Sequence, residues 1–308
     1  MDSITQFSLG AAIGIAVSPK KTAKIALISG LLATIPDLDI FLKYADPLTS
    51  VIKHRGFSHS LFYLSLIAPL VAFFLHKVFG LISYSKWLIL AFLTLVTHPI
   101  LDSFTIYGTS LLLPFSDSKI MIGSIFIIDP IYTIPLVVSV FYLFFKRKLL
   151  FIKKVSFNTI ALFFSQFYLL FTFAMQQLIV PDGKAFATPT PFNSFIWRVV
   201  IIEDDIIRQY FVDIFGRKGV DTTIAKNHQL KKIAPDLVSK YSNFSSEFYN
   251  LKIENNQLIL QDLRMGTIAN PAFSFVIATF SDNTWKTVKP YRGERIFNTD
   301  EMFGDKLL

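Results

Sequence analysis

The chain has no cysteine among its 308 residues. Disulfides and thiolate ligands are therefore excluded, and any bound metal must be held through nitrogen and oxygen. Charge is also scarce. Asp, Glu, Lys and Arg make up 17% of the sequence, against about a quarter in ordinary soluble domains. No basic residue precedes the apolar run that opens the chain, Met1 to Val17. A cleavable leader is not expected there, and the segment is read as retained. Internal repeats and low-complexity stretches are absent too.

What fills the sequence is apolar. Hydrophobic residues account for 52% and include 33 Phe, and the mean hydropathy is +0.50. These values fit a polytopic membrane protein. The net charge of +8 would suit a nucleic-acid binder, but much of the basic charge lies in short connections between apolar segments, where it reads as a topology signal. No nucleic-acid partner is expected.

Six apolar segments precede residue 180: Ile4–Val17, Ala23–Ile35, Ser60–Leu75, Trp87–Leu101, Ser124–Phe145 and Phe157–Val180. The first two fall short of the roughly 20 residues needed to cross a bilayer upright. Pro130 and Pro135 should kink the fifth. Lys20, Lys21 and Lys24 lie between the first and second segments, and Lys77 and Lys86 between the third and fourth. Lys146, Arg147, Lys148, Lys153 and Lys154 lie between the fifth and sixth. Strict alternation puts all three connections on one side, which the positive-inside rule makes cytoplasmic.

After residue 180 the pattern changes. Pro181-Asp182-Gly183 and Pro189-Thr190-Pro191 mark a turn-rich boundary. Phe195–Ile202 and Ile206–Phe215 read as a hairpin around Glu203-Asp204-Asp205. Phe248–Ile253, Gln257–Leu263 and Ala272–Phe280 read as further strands, with Asn255-Asn256 as a turn and the stretch Ala225–Ser245 as helical. The expected fold is a mainly α-helical polytopic membrane bundle of four to six segments over residues 1–180. A smaller, strand-rich α+β extramembrane domain would follow over 181–308.

Four polar motifs interrupt the apolar half: Pro36-Asp37-Leu38-Asp39, His54-Arg55-Gly56-Phe57-Ser58-His59, His98-Pro99-Ile100-Leu101-Asp102 and Asp129-Pro130. By the alternation above they share the face opposite the basic connections. Ionisable groups in membrane segments are costly, about 2.5–3.5 kcal/mol each on insertion scales, so something must compensate them. His98 and Asp102 stand at i and i+4 on one helix face, a spacing that suits two ligands of one ion. A buried His bonded to a helical neighbour explains the same pair. Asp37 and Asp39 flank Leu38, where a capped turn is the plain alternative. His54 and His59 flank a turn at Gly56, with Arg55 available to an anion or a carboxylate. Three of the five His in the chain lie in these motifs.

Taken in order, Met1-Asp2-Ser3-Ile4-Thr5-Gln6, Pro36-Asp37-Leu38-Asp39, His54-Arg55-Gly56-Phe57-Ser58-His59-Ser60, Thr97-His98-Pro99-Ile100-Leu101-Asp102 and Phe126-Ile127-Ile128-Asp129-Pro130 resemble the bacterial inner-membrane metal-dependent hydrolase family of the YdjM type. More distantly they resemble zinc phospholipases C and P1-type nucleases. The likeness covers about residues 1–180. It implies a metal site at Asp37, Asp39, His54, His59, His98 and Asp102, a divalent ion with zinc expected, and phosphoester hydrolysis. It also implies a multi-pass protein of the bacterial inner membrane. One departure is Gln6, where many relatives carry His.

The function expected from these readings is hydrolysis of an amphiphilic or phosphorylated, lipid-linked substrate by a metal-activated water. Asp39, or Asp37, would orient or deprotonate the water and Arg55 would stabilise developing negative charge. The lipid bilayer is the expected surrounding partner. The site and the C-terminal domain are expected on the extracytoplasmic side. A non-catalytic metal-binding protein and, less favoured, a transporter are the rivals.

Overall fold

The computed structural model describes residues 1–18, 22–145 and 151–293. Lys20, Lys21, Lys146, Arg147 and Lys148, read above as topology signals, lie outside those residues, as do the side chains of Lys153 and Lys154. The chain divides into two compact units. The first comprises Met1–Asp39, Arg55–Thr105 and Thr109–Ala174, and the second Ile40–His54, Ile106–Gly108 and the described residues from Met175 on.

The first unit is helical. Its helices are α1 (Ser3–Val17), α2 (Thr22–Thr34), α4 (Leu61–Phe79), α5 (Tyr84–Ser103), α6 (Pro130–Phe145) and α7 (Phe151–Ile179), whose last residues pass into the second unit. Among the described residues, three stretches are long and apolar enough to cross a membrane: α4, α5 and Phe157–Ile179 of α7. The fifth apolar segment yields a shorter helix than its length suggested. Asp129 accepts hydrogen bonds from the amides of Ile131 and Tyr132, and Pro130 opens α6. A capping carboxylate followed by proline is a start signal that fixes the first turn. Ser124–Ile128 stay outside the helix.

Helices α1 and α2 pack with little between them. A Cβ on Gly10 would lie 2.4 Å from Ala33 Cβ and 2.6 Å from the Ser29 carbonyl oxygen, and one on Gly14 would lie 2.1 Å from Ser29 Oγ. Only glycine allows this approach. Helix α5 buries Trp87, Leu90, Ala91, Thr94, Leu95, His98, Leu101 and Asp102. Up to His98 this is one stripe at three- and four-residue spacing; at the C-terminal end Pro99 and Ser103 are buried as well, so that end carries His98, Asp102 and Ser103 inward.

The second unit holds two four-stranded antiparallel sheets. The first orders β1 (Ala185–Thr190), β2 (Asn193–Ile202), β3 (Ile206–Asp213) and β4 (Thr222–Ala225). The second orders β5 (Tyr249–Glu254), β6 (Gln257–Asp262), β7 (Ser274–Ser281) and β8 (Thr284–Arg292). Asn255 and Asn256 turn β5 into β6 at φ 49° and 58°, the backbone of a two-residue hairpin turn. Of Ala225–Ser245, read as helical, only Pro235–Ser245 is α-helix (α8), while Ala225 ends β4 and His228–Lys232 form a 3-10 turn. Helix α3 (Pro47–Lys53) belongs here too, with Leu48 and Val51 in one core with Val238, Tyr241, Leu260 and Phe275. Strand β4 is missing from the sequence reading, and so are β1 and β8, which carry prolines at Pro189 and Pro290. Both are edge strands, where a missing N–H is tolerated.

Candidate metal centre

Parts of the first two polar motifs fold as short 3-10 turns. Ile35–Phe41 carries Asp37 and Asp39, and Phe57–His59 carries His59. Between them, Arg55 takes a positive φ of 56°, a strained choice for a residue with a Cβ. Its amide donates to Asp39 Oδ2 at 2.8 Å, and its side chain reaches Asp102 and Thr105.

Four of the six residues implied by the resemblance come together: Asp37, His59, His98 and Asp102 each offer one ligand atom, all within 4.8 Å of one another. His59 Nε2 lies 3.3 Å from Asp37 Oδ1 and 3.2 Å from Asp102 Oδ2. His98 Nε2 lies 3.5 Å and 3.6 Å from the same two oxygens. The two Nε2 atoms are 3.2 Å apart. These are five of the six edges of a tetrahedron, and the sixth, between the two carboxylate oxygens, is within 4.8 Å; a regular tetrahedron with edges of the five lengths has its centre roughly 2.0–2.2 Å from each corner, the range of zinc–nitrogen and zinc–oxygen bonds.

The protonation of the neutral imidazoles is set from behind. His98 Nδ1 lies 2.6 Å from the carbonyl oxygen of Ala33. A carbonyl only accepts, so Nδ1 carries the proton and Nε2 presents a lone pair. His59 Nδ1 lies 2.9 Å from Ser58 Oγ, and that hydroxyl donates to Asp39 Oδ2 at 2.8 Å. A carboxylate only accepts, so the chain runs from His59 Nδ1–H through Ser58 to Asp39. The neutral cluster thus turns two lone pairs and two carboxylate oxygens on one point. Asp102 Oδ2 is buried and accepts no hydrogen bond. It faces Arg55 Nε at 3.0 Å outside hydrogen-bonding geometry.

Either a proton or a cation reconciles such a group. With the proton, burial disfavours the imidazolium of His59, but hydrogen bonds to Asp102 and Asp37 outweigh it and raise the pKa. Burial favours a neutral Asp37, but the His59 and His98 imidazoles outweigh it and hold the carboxyl well below the usual range. With a cation, nitrogen and oxygen donors of this kind suit zinc. The donor set, the orphaned Asp102 oxygen and the edge lengths all fit that ion.

Asp39 supports the cluster through Ser58 and the Arg55 amide, with its Oδ2 3.9 Å from His59 Nδ1. His54 belongs to the second unit, where its ring meets Tyr107 edge-on at 5.3 Å. Gln6 donates from Nε2 to Asp102 Oδ1 at 2.9 Å and to the His98 carbonyl at 3.2 Å, while its Oε1 is buried without a hydrogen bond. The Met1 amine also donates to Asp102 Oδ1. Thr105 and the Ala33 carbonyl were not singled out from the sequence. Ser58 stood beside His59 in the motif and was readable as its partner, whereas the Ala33 carbonyl left no signal.

A family model described as YdjM inner membrane protein matches residues 1–179. The chain belongs to that family, and with three helices of spanning length this assigns it to a membrane. It is 33% identical over 123 residues to the inner membrane protein YbcI of Escherichia coli (strain K12), covering 38% of this chain and 69% of that one. It is 29% identical over 141 residues to the uncharacterized protein YfhP of Bacillus subtilis (strain 168), covering 42% of each chain. No solved structure matches.

Proposed function

We propose that this member of the YdjM inner membrane protein family is a membrane-embedded, zinc-dependent hydrolase of phosphoesters. The observation that carries the reading is the convergence of four buried acceptor atoms from Asp37, His59, His98 and Asp102. An ion held there would supply Lewis acidity and an acidified water. The likeness of the motifs to zinc phospholipases C and P1-type nucleases supports a phosphoester as substrate.

The side chain of Asp37 is 21% exposed, while those of His59, His98 and Asp102 have no exposure. Water and a phosphoryl oxygen therefore enter beside Asp37, which is the member free to swing aside. His59 and His98 are fixed from behind by Ser58 and the Ala33 carbonyl. Arg55 sets positive charge against Asp102 and orients it, and its field favours an incoming anionic phosphoryl group. Asp39 acts by holding Ser58 and the Arg55 backbone. The basic connections support an extracytoplasmic site, with lipid-linked substrate reaching it from the bilayer.

A second reading has its own observation. Asp37, His59, His98 and Asp102 together would fill all four positions of a tetrahedral ion, and closed sites of that kind are usually structural. Purified protein, assayed for metal content, for hydrolysis of a generic phosphodiester and for thermal stability with and without chelator, separates the two. The hydrolase reading predicts metal-dependent turnover that His98→Ala abolishes. Bound metal that stabilises the fold, with no turnover under any divalent ion, supports the structural reading instead.

A further inference from the structure

The cluster and its supports come from three stretches of the first unit, 35–39, 55–60 and 97–105. Inward they carry Asp37, Asp39, Arg55, His59, His98 and Asp102. Their outward side is of the opposite kind. Ile35, Leu38 and Phe57 are 51%, 54% and 59% exposed, and Ile100 is 36% exposed. Among the described residues of the three stretches these four are the exposed ones, and all are apolar. Turns that meet water carry polar side chains outward, whereas in membrane segments the ionisable groups face inward. Asp37, the partly exposed member of the cluster, stands between Ile35 and Leu38 in its turn.

This collar continues a surface that lipid covers. Helix α4 begins at Leu61, two residues after His59, and α5 ends at Ser103, one residue after Asp102. Both are of spanning length. The 19 residues of α4 rise about 29 Å, close to the thickness of the hydrocarbon layer, so the cluster lies at the edge of that layer. Ile100 follows Leu93 by two helical turns on the same side of α5, and both are exposed. Phe62, Leu66 and Leu70 make an exposed row along α4 from its first turn. Water begins nearby. Ser110 donates its amide to the Arg55 carbonyl at 3.0 Å, and in the loop it opens, closed by the pairing of Thr109 with Ile120, Asp117 and Ser118 are exposed.

We infer that Ile35, Leu38, Phe57 and Ile100 rest among lipid chains just beneath the headgroups, and that the cluster receives the phosphodiester of a bilayer lipid sideways, past Asp37. The substrate half rests on the phosphoester reading above and narrows its class from phosphoesters at large to membrane lipids. Hydrolysis there adds water across one P–O ester bond and yields a phosphomonoester and an alcohol, one of which the acyl chains keep in the membrane.

The test uses the full-length protein in vesicles of phosphatidylcholine and phosphatidylglycerol. The chain has no cysteine, so Leu38→Cys, Phe57→Cys, Ile100→Cys and Asp117→Cys each carry one nitroxide, with a wild-type melting temperature as the criterion of folding. Collisions with oxygen should dominate over those with a water-soluble nickel chelate at the first three positions, and the order should reverse at the fourth. Nickel dominating at all four would place the collar in water and overturn the inference. Spin–spin broadening at the first three, with neither agent reaching them, would put a second copy of the chain there and overturn it too. Hydrolysis of the vesicle phosphatidylcholine should exceed that of glycerophosphocholine roughly tenfold or more, the gain from burying about two methylene groups. Equal or faster turnover of the soluble diester overturns the substrate half. No turnover of either, with the collar in lipid, would remove the hydrolase reading and leave the lipid-facing collar standing.

Discussion

Each unit of this protein buries a knot of charged side chains, and the two knots are built on opposite principles. In the second unit Arg264 and Asp262 are both fully buried and meet through two bonds, Nε to Oδ1 at 3.0 Å and Nη2 to Oδ2 at 2.6 Å. Tyr241 adds its hydroxyl to Asp262 at 2.6 Å, and Arg264 also donates to the carbonyls of Tyr107 and Phe244. Donors there answer acceptors. Nearby Arg198, whose pKa burial lowers to about 10, is held by Gln209 Oε1 and the carbonyls of Leu263 and Arg264. In the first unit Asp37, His59, His98 and Asp102 converge as acceptors, with their donors turned outward to Ala33 and Ser58. One knot is complete as protein, and the other is complete only with a cation or a proton.

The contrast predicts where each unit breaks. The largest effect should come from His98→Ala, which removes a ligand and should cut metal affinity by well over the 100-fold that even outlying partners of a metal site reach. Equilibrium dialysis against zinc measures it. Next, Arg264→Ala should destabilise the second unit by about 3–5 kcal/mol, because it strands Asp262 without its partner. Metal content should not change, and denaturant unfolding read alongside metal analysis checks both halves. Ser58→Ala should be milder, roughly 10- to 100-fold in metal affinity, since it frees the His59 ring without removing a ligand. The smallest is a pH effect. The raised pKa of His59 gives the metal-free cluster stability that is full below the ordinary imidazole value and fades as pH rises through the raised one. The lowered pKa of Asp37 gives stability that is lost only as pH falls through its depressed value. A metal must displace the His59 proton, so the melting-temperature gain from added zinc should grow from about pH 5.5 to 8. Thermal scans with and without zinc measure that slope.

The sequence made the broad architecture legible because periodicity is local. The apolar runs became helices, and the hairpin through Glu203-Asp204-Asp205 formed as β2 and β3 in register from Ile196 opposite Asp213 to Ile202 opposite Ile207. Edge strands were harder, since Pro189 and Pro290 look like breaks until the strand order shows which N–H groups go unused. The ligand set was legible as residue types at segment ends, but not as individual roles. His54 and His59 are equivalent in the string, five residues apart around a glycine. Only the fold sends one to Tyr107 and the other to His98. Asp37 and Asp39 are just as alike, and what divides them is Ser58 and the Arg55 amide, both brought in from another segment. Helix α3 shows the same limit, because nothing in Pro47–Lys53 announces that its apolar face belongs to a core assembled from residues near 240 and 260.

The central claim is that the acceptor cluster holds a metal ion. X-ray absorption at the zinc edge on purified protein, paired with elemental analysis of wild type and of the His59→Ala, His98→Ala double variant, tests it most directly. The account predicts about one zinc per wild-type chain in a shell of imidazole nitrogen and carboxylate oxygen at about 2.0–2.2 Å, and background metal in the variant. Equal trace metal in both proteins, after growth and purification with zinc supplied, would contradict it.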